Sequence, residues 1–586
     1  MALLNHIPFV IAICLASLAN AVAIIGPQGG VNTVTGQRPF RQEFSTFKNS
    51  GPAFDLYILS LQQFQQQNQS ALLSYYQVGG IHGRPYIAWD VVQGLYQAGY
   101  CTHSSILFPS WHRPYVALFE QILWNYAQQI AATYPAAQRS QYQAAATTLR
   151  IPYWDWALNT TMPDLVNSPM ISVNSPHGVM NIVNPLYNYT FHPQPSAADF
   201  PPSDGLIAEY HSTVRYPSSS GQSQPVLANL RLEANAQVIQ DATYQLIADQ
   251  SNYAPFSNAG YTDSRGGSYN SLENMHNAIH SLVGSGGHMS FIPYAGFDPI
   301  FWLHHANVDR LFAIRQAIYP SSYTTAEVDA EGTFTNAPGE TEDINTPLTP
   351  FHSDSVGTLY TSATVRSTRP FGYAYPEVVD WGFNASQLSS NARTALNKLY
   401  NPTGSISTRS LFSKRDNPTA PYMNATEYQY YVNIRVPKAA LNRPFFIHFF
   451  LGSVPPTSDT WSFAPTLIGS QSILYYPPAS NITAPNLTSR LSYGQIPLNH
   501  ALLRDLTSLD PHTVVPLLEQ QLNWAVQDFG DQPVTTADVE GLKIFVVGRV
   551  VRQRGREDGF PGYGRYRIYR TATKGKVGAL PDGEGW

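Results

Sequence analysis

Apolar positions recur at helical spacing up to about Tyr400 and alternate, or run on unbroken, beyond it. Phe54, Tyr57, Ile58, Leu61 and Phe64 fall on one face, with Gln and Ser on the other, and predict an amphipathic helix. Val116 to Ile130, the Ala- and Gln-rich stretch Gln138 to Leu149, and Asn274 to Leu282 read the same way. "FDPIFWLHHANVDRLFAIRQAI" predicts another helix, with Asp298 as its N-cap and Pro299 at its first position. Between these lie "IPYWDWA", a packed aromatic turn, and Pro193 to Gln224, long, Pro/Ser-rich and without periodicity.

After Tyr400 comes a polar, Pro/Ser/Thr-rich segment, "NPTGSISTRSLFSKRDNPTAPYMN". Strand-like runs follow it: "EYQYYVNIRVP", "RPFFIHFFLG", "QSILYYPP", "LKIFVVGRVVRQRG" and "YRIYRT". The pattern predicts a mainly α, helical-bundle domain with long loops over residues 24–402, a linker over 403–423, and a β-sandwich or barrel-like domain over 424–586. Lys414-Arg415 is a dibasic pair inside that linker, where a processing protease would find exposed chain.

Composition narrows the class. Charged residues are only 12% of the 586 and aromatics 13%, which excludes a disordered, highly charged chain. A net charge of −5 gives no electrostatic reason for a nucleic-acid partner. Ile7 to Leu18 is an apolar run too short to span a membrane, and Ala21-Val22-Ala23 follows it as a cleavage signal. Residues 1–23 therefore read as a signal peptide, although no Lys or Arg precedes the run. Sequons at Asn68, Asn159, Asn188, Asn384, Asn424, Asn481 and Asn486 agree with a secreted glycoprotein without a membrane span. Such a mature chain keeps one cysteine, Cys101, and can form no internal disulfide.

Six of the 16 histidines form two groups: His82, His103 and His112, then His276, His280 and His305. His276 and His280 stand at i, i+4 and project from one helical face, a spacing that suits two ligands on one ion. Neutral imidazole serves copper, zinc, iron and nickel, so the spacing alone does not choose the metal. His448 in "FFIHFF", and the isolated His177, His192, His211, His288, His352, His500 and His512, read as packed or solvent-facing residues.

"HSSILFPSWHRPYVALFEQ" together with "MHNAIH…FDPIFWLHHANVDRLF" resembles the two copper signatures of tyrosinases, more particularly those of filamentous fungi. The resemblance runs from Arg41 through "FGYAYPE" and, more weakly, through the β-rich tail. It implies a type 3 pair of copper ions, one on His82, His103 and His112 and the other on His276, His280 and His305. His304 and Asp309, with Arg310, are implied to support the ligands from behind. The implied reaction takes phenols and O2 to o-quinones, which polymerise to melanin-like pigment.

The same resemblance assigns further residues. Glu273 and Asn277 would hold a water that takes the proton of a monophenol, whose pKa lies near ~10. Ile292 stands where related plant enzymes carry a bulky aromatic, and would leave a more open gate. Tyr373 and Tyr375 would close the domain against Arg41. A cysteine two residues before the second ligand is joined in fungal relatives to that histidine, which implies a Cys101–His103 thioether. The C-terminal domain would shield the site until proteolysis, with the loop holding Leu474, Tyr475 and Tyr476 as a candidate plug. The chain lacks the Cys-x-x-Cys of some relatives, which leaves its copper-loading route in doubt. A catechol or o-aminophenol oxidase, or a haemocyanin-like O2 carrier, would carry the same dicopper signature.

Overall fold

The computed structural model describes residues 20–263, 266–401, 426–475, 490–552 and 556–585. The predicted leader through residue 19, the linker with Lys414 and Arg415, Tyr476, and the sequons at Asn424, Asn481 and Asn486 lie outside them. Among the described residues no helix is long and apolar enough to cross a membrane.

The helical part is built on Pro52–Gln65, Phe108–Thr133, Leu272–Gly284 and Ile300–Ile318. Phe108–Thr133 starts eight residues before the apolar periodicity predicts and carries Pro114 inside. Pro109 sits in its first turn, where no N–H is needed, so both prolines are absorbed into one helix. Ile300–Ile318 starts one residue later than expected, with Pro299 as the cap. Asp298 still accepts the Ile300 N–H at 3.2 Å, while Arg215 grips the same carboxylate. The hairpin Met170–Ser175/Gly178–Val183 and the helices Pro225–Ala234, Ala236–Asp249 and Ala385–Tyr400 were not foreseen from periodicity.

The C-terminal part is a β-sandwich. Thr426–Pro437 pairs antiparallel with Leu491–Pro497 on one side and Lys543–Arg552 on the other. The second sheet places Phe445–Leu451 between Leu467–Ile473 and Leu522–Asp528. Val432, Ile434, Ile447, Phe449, Val526, Ile544 and Val546 meet in a common core between the sheets. The helices Asn499–Asp505 and Pro511–Gln521 add to it, an α content the strand pattern did not announce. Phe445–Leu451 is buried along its whole length because its other face also packs: Phe446 belongs to the core of the helical part. That explains an apolar run in place of alternation.

The β-part is held against the helices by ion pairs as well as packing. Arg549 reaches Asp249 at 2.5 Å, and Arg231 pairs with Asp531. Ser390 and Asn397 also bond the segment 557–559, and Lys438, Leu474 and Tyr475 reach the cavity beside the histidines.

Candidate metal centre

Both histidine groups converge inside the helical part. His276 and His280 project from Leu272–Gly284, which Ser271 caps by accepting the Asn274 N–H at 3.1 Å. His305 comes from the neighbouring helix Ile300–Ile318. The Nε2 atoms of His276 and His280 each lie 3.2 Å from Nε2 of His305. His304, from the same doublet, belongs to this metal-sized group, and neither of its ring nitrogens has a hydrogen-bond partner.

Local partners fix the rings. Nδ1 of His280 faces Met289 O at 2.6 Å, and Nδ1 of His276 faces Asn277 Oδ1 at 3.0 Å. On the other side, His82 Nδ1 faces Ile292 O at 2.9 Å and His112 Nδ1 faces Phe108 O at 2.7 Å. Each Nδ1 therefore carries the proton and each Nε2 offers a lone pair to the centre. Burial pushes His112 down to about 3 and His280 down to about 4, and holds His82, His103, His276, His304 and His305 well below the ordinary imidazole range. Neutral, buried lone pairs that face one another repel, and His82 Nε2 and His305 Nδ1 have no partner at all. A bound cation relieves that arrangement, so the donor set fits metal ions of the kind imidazole prefers.

The first group includes the sulfur of Cys101. His82, Cys101 and His112 form its metal-sized cluster, with the sulfur 3.3 Å from His112 Nε2. His103 stands behind the sulfur, its Nδ1 at 3.3 Å and Nε2 at 3.9 Å from Sγ. The ring carbon Cε1, bonded to both nitrogens, lies between them.

One cavity of about 670 Å³ holds His82, Cys101, His103, Glu273, Asn277 and Ile292 in its wall. Glu273 is buried, accepts the N–H groups of Ser104 (2.8 and 3.0 Å) and Ala259 (2.7 Å), and is pushed by burial up to about 7 against the pull of Lys438. Phe291, next to Ile292, also lines the wall. Among the described residues, neither Asp309 nor Arg310 hydrogen-bonds a histidine. Asp309 instead takes Arg113, Arg41, Tyr373 and Tyr375, and Arg310 takes Asp155, Glu377 and Tyr400. Both stand on the helix that carries His305, and Asp309 ties it to Arg113 on the helix that carries His112. His448 is satisfied by Ser470 and Gln527, and His352 pairs with Asp90.

The C-terminal part supplies the rest of the cavity wall. Leu474 and Tyr475 line it, as do Lys438, Arg443 and Arg490. Lys438 Nζ reaches Glu331 Oε1 and Ser104 Oγ, each at 2.6 Å. Glu331, Lys438 and Arg490 escaped the sequence reading, since no motif surrounds them and 107 residues separate the first two.

A family model described as the common central domain of tyrosinase matches residues 72–318, and one described as the tyrosinase C-terminal domain matches residues 429–546. A tyrosinase of Podospora anserina is 34% identical, the alignment covering 81% of this chain and 94% of that protein. Polyphenol oxidase 2 of Agaricus bisporus is 32% identical over 89% of this chain and 93% of its own length. A crystal structure of latent and active mushroom tyrosinase superposes with a TM-score of 0.81 at 29% identity, covering 93% of this chain and 98% of that one.

Proposed function

The chain belongs to the tyrosinase family of type 3 copper enzymes, and we propose that it hydroxylates monophenols and oxidises o-diphenols to o-quinones with O2. The observation that carries this reading is the convergence of bare imidazole nitrogens beside a cavity whose wall contains His82, His103, Glu273 and Asn277. In this reading His82, His103 and His112 hold one copper and His276, His280 and His305 the other. A copper pair bound there would relay electrons from the phenol to O2, the oxidant of the reaction.

The chain's own residues do the rest. Asn277 spends its Oδ1 on His276, which leaves its amide to donate to a water, and Glu273 accepts from that water and receives the phenol proton. Ile292 holds His82 through its carbonyl while its side chain borders the entrance. Cys101 and His103 form a thioether that fixes the ring of a ligand on a loop. The β-domain keeps the protein latent by covering the cavity, with Leu474 and Tyr475 nearest the phenol's place, until a protease cuts at Lys414-Arg415. A secretory leader fits exposed sequons at Asn68, Asn159 and Asn384, and the quinones then feed melanin-type pigment outside the cell.

A second reading, catechol oxidase without monophenolase activity, is favoured by one observation. Both Glu273 oxygens already accept backbone N–H groups. The test is the product spectrum of copper-loaded protein with tyrosine and then DOPA, before and after linker cleavage. Reaction of both supports the proposal, DOPA alone selects the second reading, and reaction of neither removes both.

A further inference from the structure

Three carboxylates of the helical part face the cavity: Asp204, Glu273 and Glu331. Asp204 has partners in its own part, Arg84 at 2.9 Å and the Tyr294 hydroxyl at 2.7 Å. Glu273 has its two backbone N–H groups. Glu331 differs. Its ion pairs reach across to the β-domain, to Lys438 at 2.6 Å and Arg490 at 3.5 Å.

The helical part nevertheless holds Glu331 in place without that help. Its N–H donates to Asp329 Oδ1 at 2.8 Å, and the Gly332 N–H donates to Oδ2 at 3.0 Å. Gly332 has φ +70°, where a Cβ would lie 2.8 Å from Asn336 O, so the turn that presents Glu331 needs glycine. Burial raises the Glu331 carboxyl, and Lys438 and Arg490 more than offset it, holding it below the usual range. Lys438 and this carboxylate both meet the side chain of Ser104, the residue that follows His103 and whose N–H donates to Glu273.

We infer that Glu331 is an ammonium subsite of the substrate cavity, and that Lys438 is its internal stand-in while the β-domain is seated. With that domain withdrawn, the half-buried carboxylate has lost its cations, and a ligand ammonium restores the charge pair. The substrate class it selects is the phenol with an aminoethyl side chain, as an arylethylamine or its amino acid. An arylpropanoate would set its own carboxylate against Glu331 and is disfavoured. This rests on the reading that the cavity admits phenols.

Binding tests it apart from turnover. Copper-loaded full-length protein, its Lys438→Ala variant and the Lys438→Ala/Glu331→Gln double variant are titrated by ligand-observed NMR with 2-phenylethylammonium and 2-phenylethanol, neither of which has a phenol to oxidise. Lys438→Ala is expected to bind the ammonium probe about tenfold more tightly than wild type, and the double variant to lose that preference over the alcohol. Equal gains for both probes, or a preference that survives Glu331→Gln, overturns the subsite. Should Lys438→Ala fail to fold, linker-cut protein with and without Glu331→Gln decides by kcat/KM. The ratio of dopamine to 4-methylcatechol falls about tenfold if Glu331 reads the ammonium, and an unchanged ratio overturns it. If neither catechol is oxidised, the proposed function fails, and 2-phenylethylammonium binding to that cut pair judges Glu331.

Discussion

The guanidinium of Arg41 lies 3.5 Å from the centre of the Tyr373 ring, and so ties the start of the helical part to its end. Arg41 also donates to Tyr375 OH at 2.9 Å and to both Glu120 oxygens at 3.0 and 2.9 Å. Both tyrosine hydroxyls donate to Asp309 Oδ2, at 2.5 and 2.7 Å, while Arg113 holds Oδ1 at 2.7 Å. Arg113 follows His112, and Asp309 comes one helical turn after His305, so the knot joins the helices that carry these two histidines.

Arg41→Met removes one partner from two buried carboxylates and is expected to cost about 3–5 kcal/mol in denaturant unfolding. A variant within about 1 kcal/mol of wild type would deny the knot its structural role. Burial alone would raise Asp309, but Arg113 and Arg41 outweigh it and hold the carboxyl below its ordinary value. A group depressed in the folded state contributes stability above its unfolded pKa near ~3.9 and loses it as pH falls through the folded value. The wild type should therefore lose this contribution only in strong acid.

The depressed histidines bear on metal uptake. With His112 held down to about 3 and His280 to about 4 by burial, protons do not compete for the rings until the pH is low. Copper affinity, read by chelator competition, should change little between about pH 5 and 7 and collapse below about pH 4. The metal-free protein should behave differently. Its unfolded chain takes up protons below about pH 6.5 that the folded rings refuse, so its melting temperature falls from there downward.

Burial also raises the Cys101 thiol well above its ordinary pKa, which makes it a poor target for general thiol chemistry. A thioether nonetheless needs only loss of one hydrogen from sulfur and one from the His103 ring, with O2 taking the two electrons and protons as hydrogen peroxide. Copper-loaded, aerated protein should yield a Cys101–His103 peptide two hydrogens lighter that refuses iodoacetamide after denaturation. An alkylatable thiol in that peptide would show the bond does not form.

Glu273→Gln separates the two halves of the proposed chemistry. Tyrosine turnover should fall by at least about tenfold more than DOPA turnover, because only the monophenol needs the base at its first proton. Equal losses would reduce Glu273 to a brace for the Ser104 and Ala259 N–H groups. With the carboxyl raised by burial to about 7, the wild-type rate on monophenols should drop as the pH falls through that value.

Much of this was open to reading in one dimension. The i, i+4 pair His276 and His280, the residues of the two signature stretches and the change to strands after Tyr400 are local patterns, because helical and pleated periods are set over a few residues. The same sequence hid the start of Phe108–Thr133 behind two prolines and kept Cys101 apart from His112. It also gave no hint of Glu331 facing Lys438. Those outcomes rest on contacts between distant segments. His82 presents Nε2 because Ile292, 210 residues on, turns a carbonyl to its Nδ1. Glu331 meets Lys438 because the β-sandwich, packed around its own core, carries that lysine to the cavity wall. Chain identity determined which donors are available, and only close packing of the two parts decided which of them share one cavity.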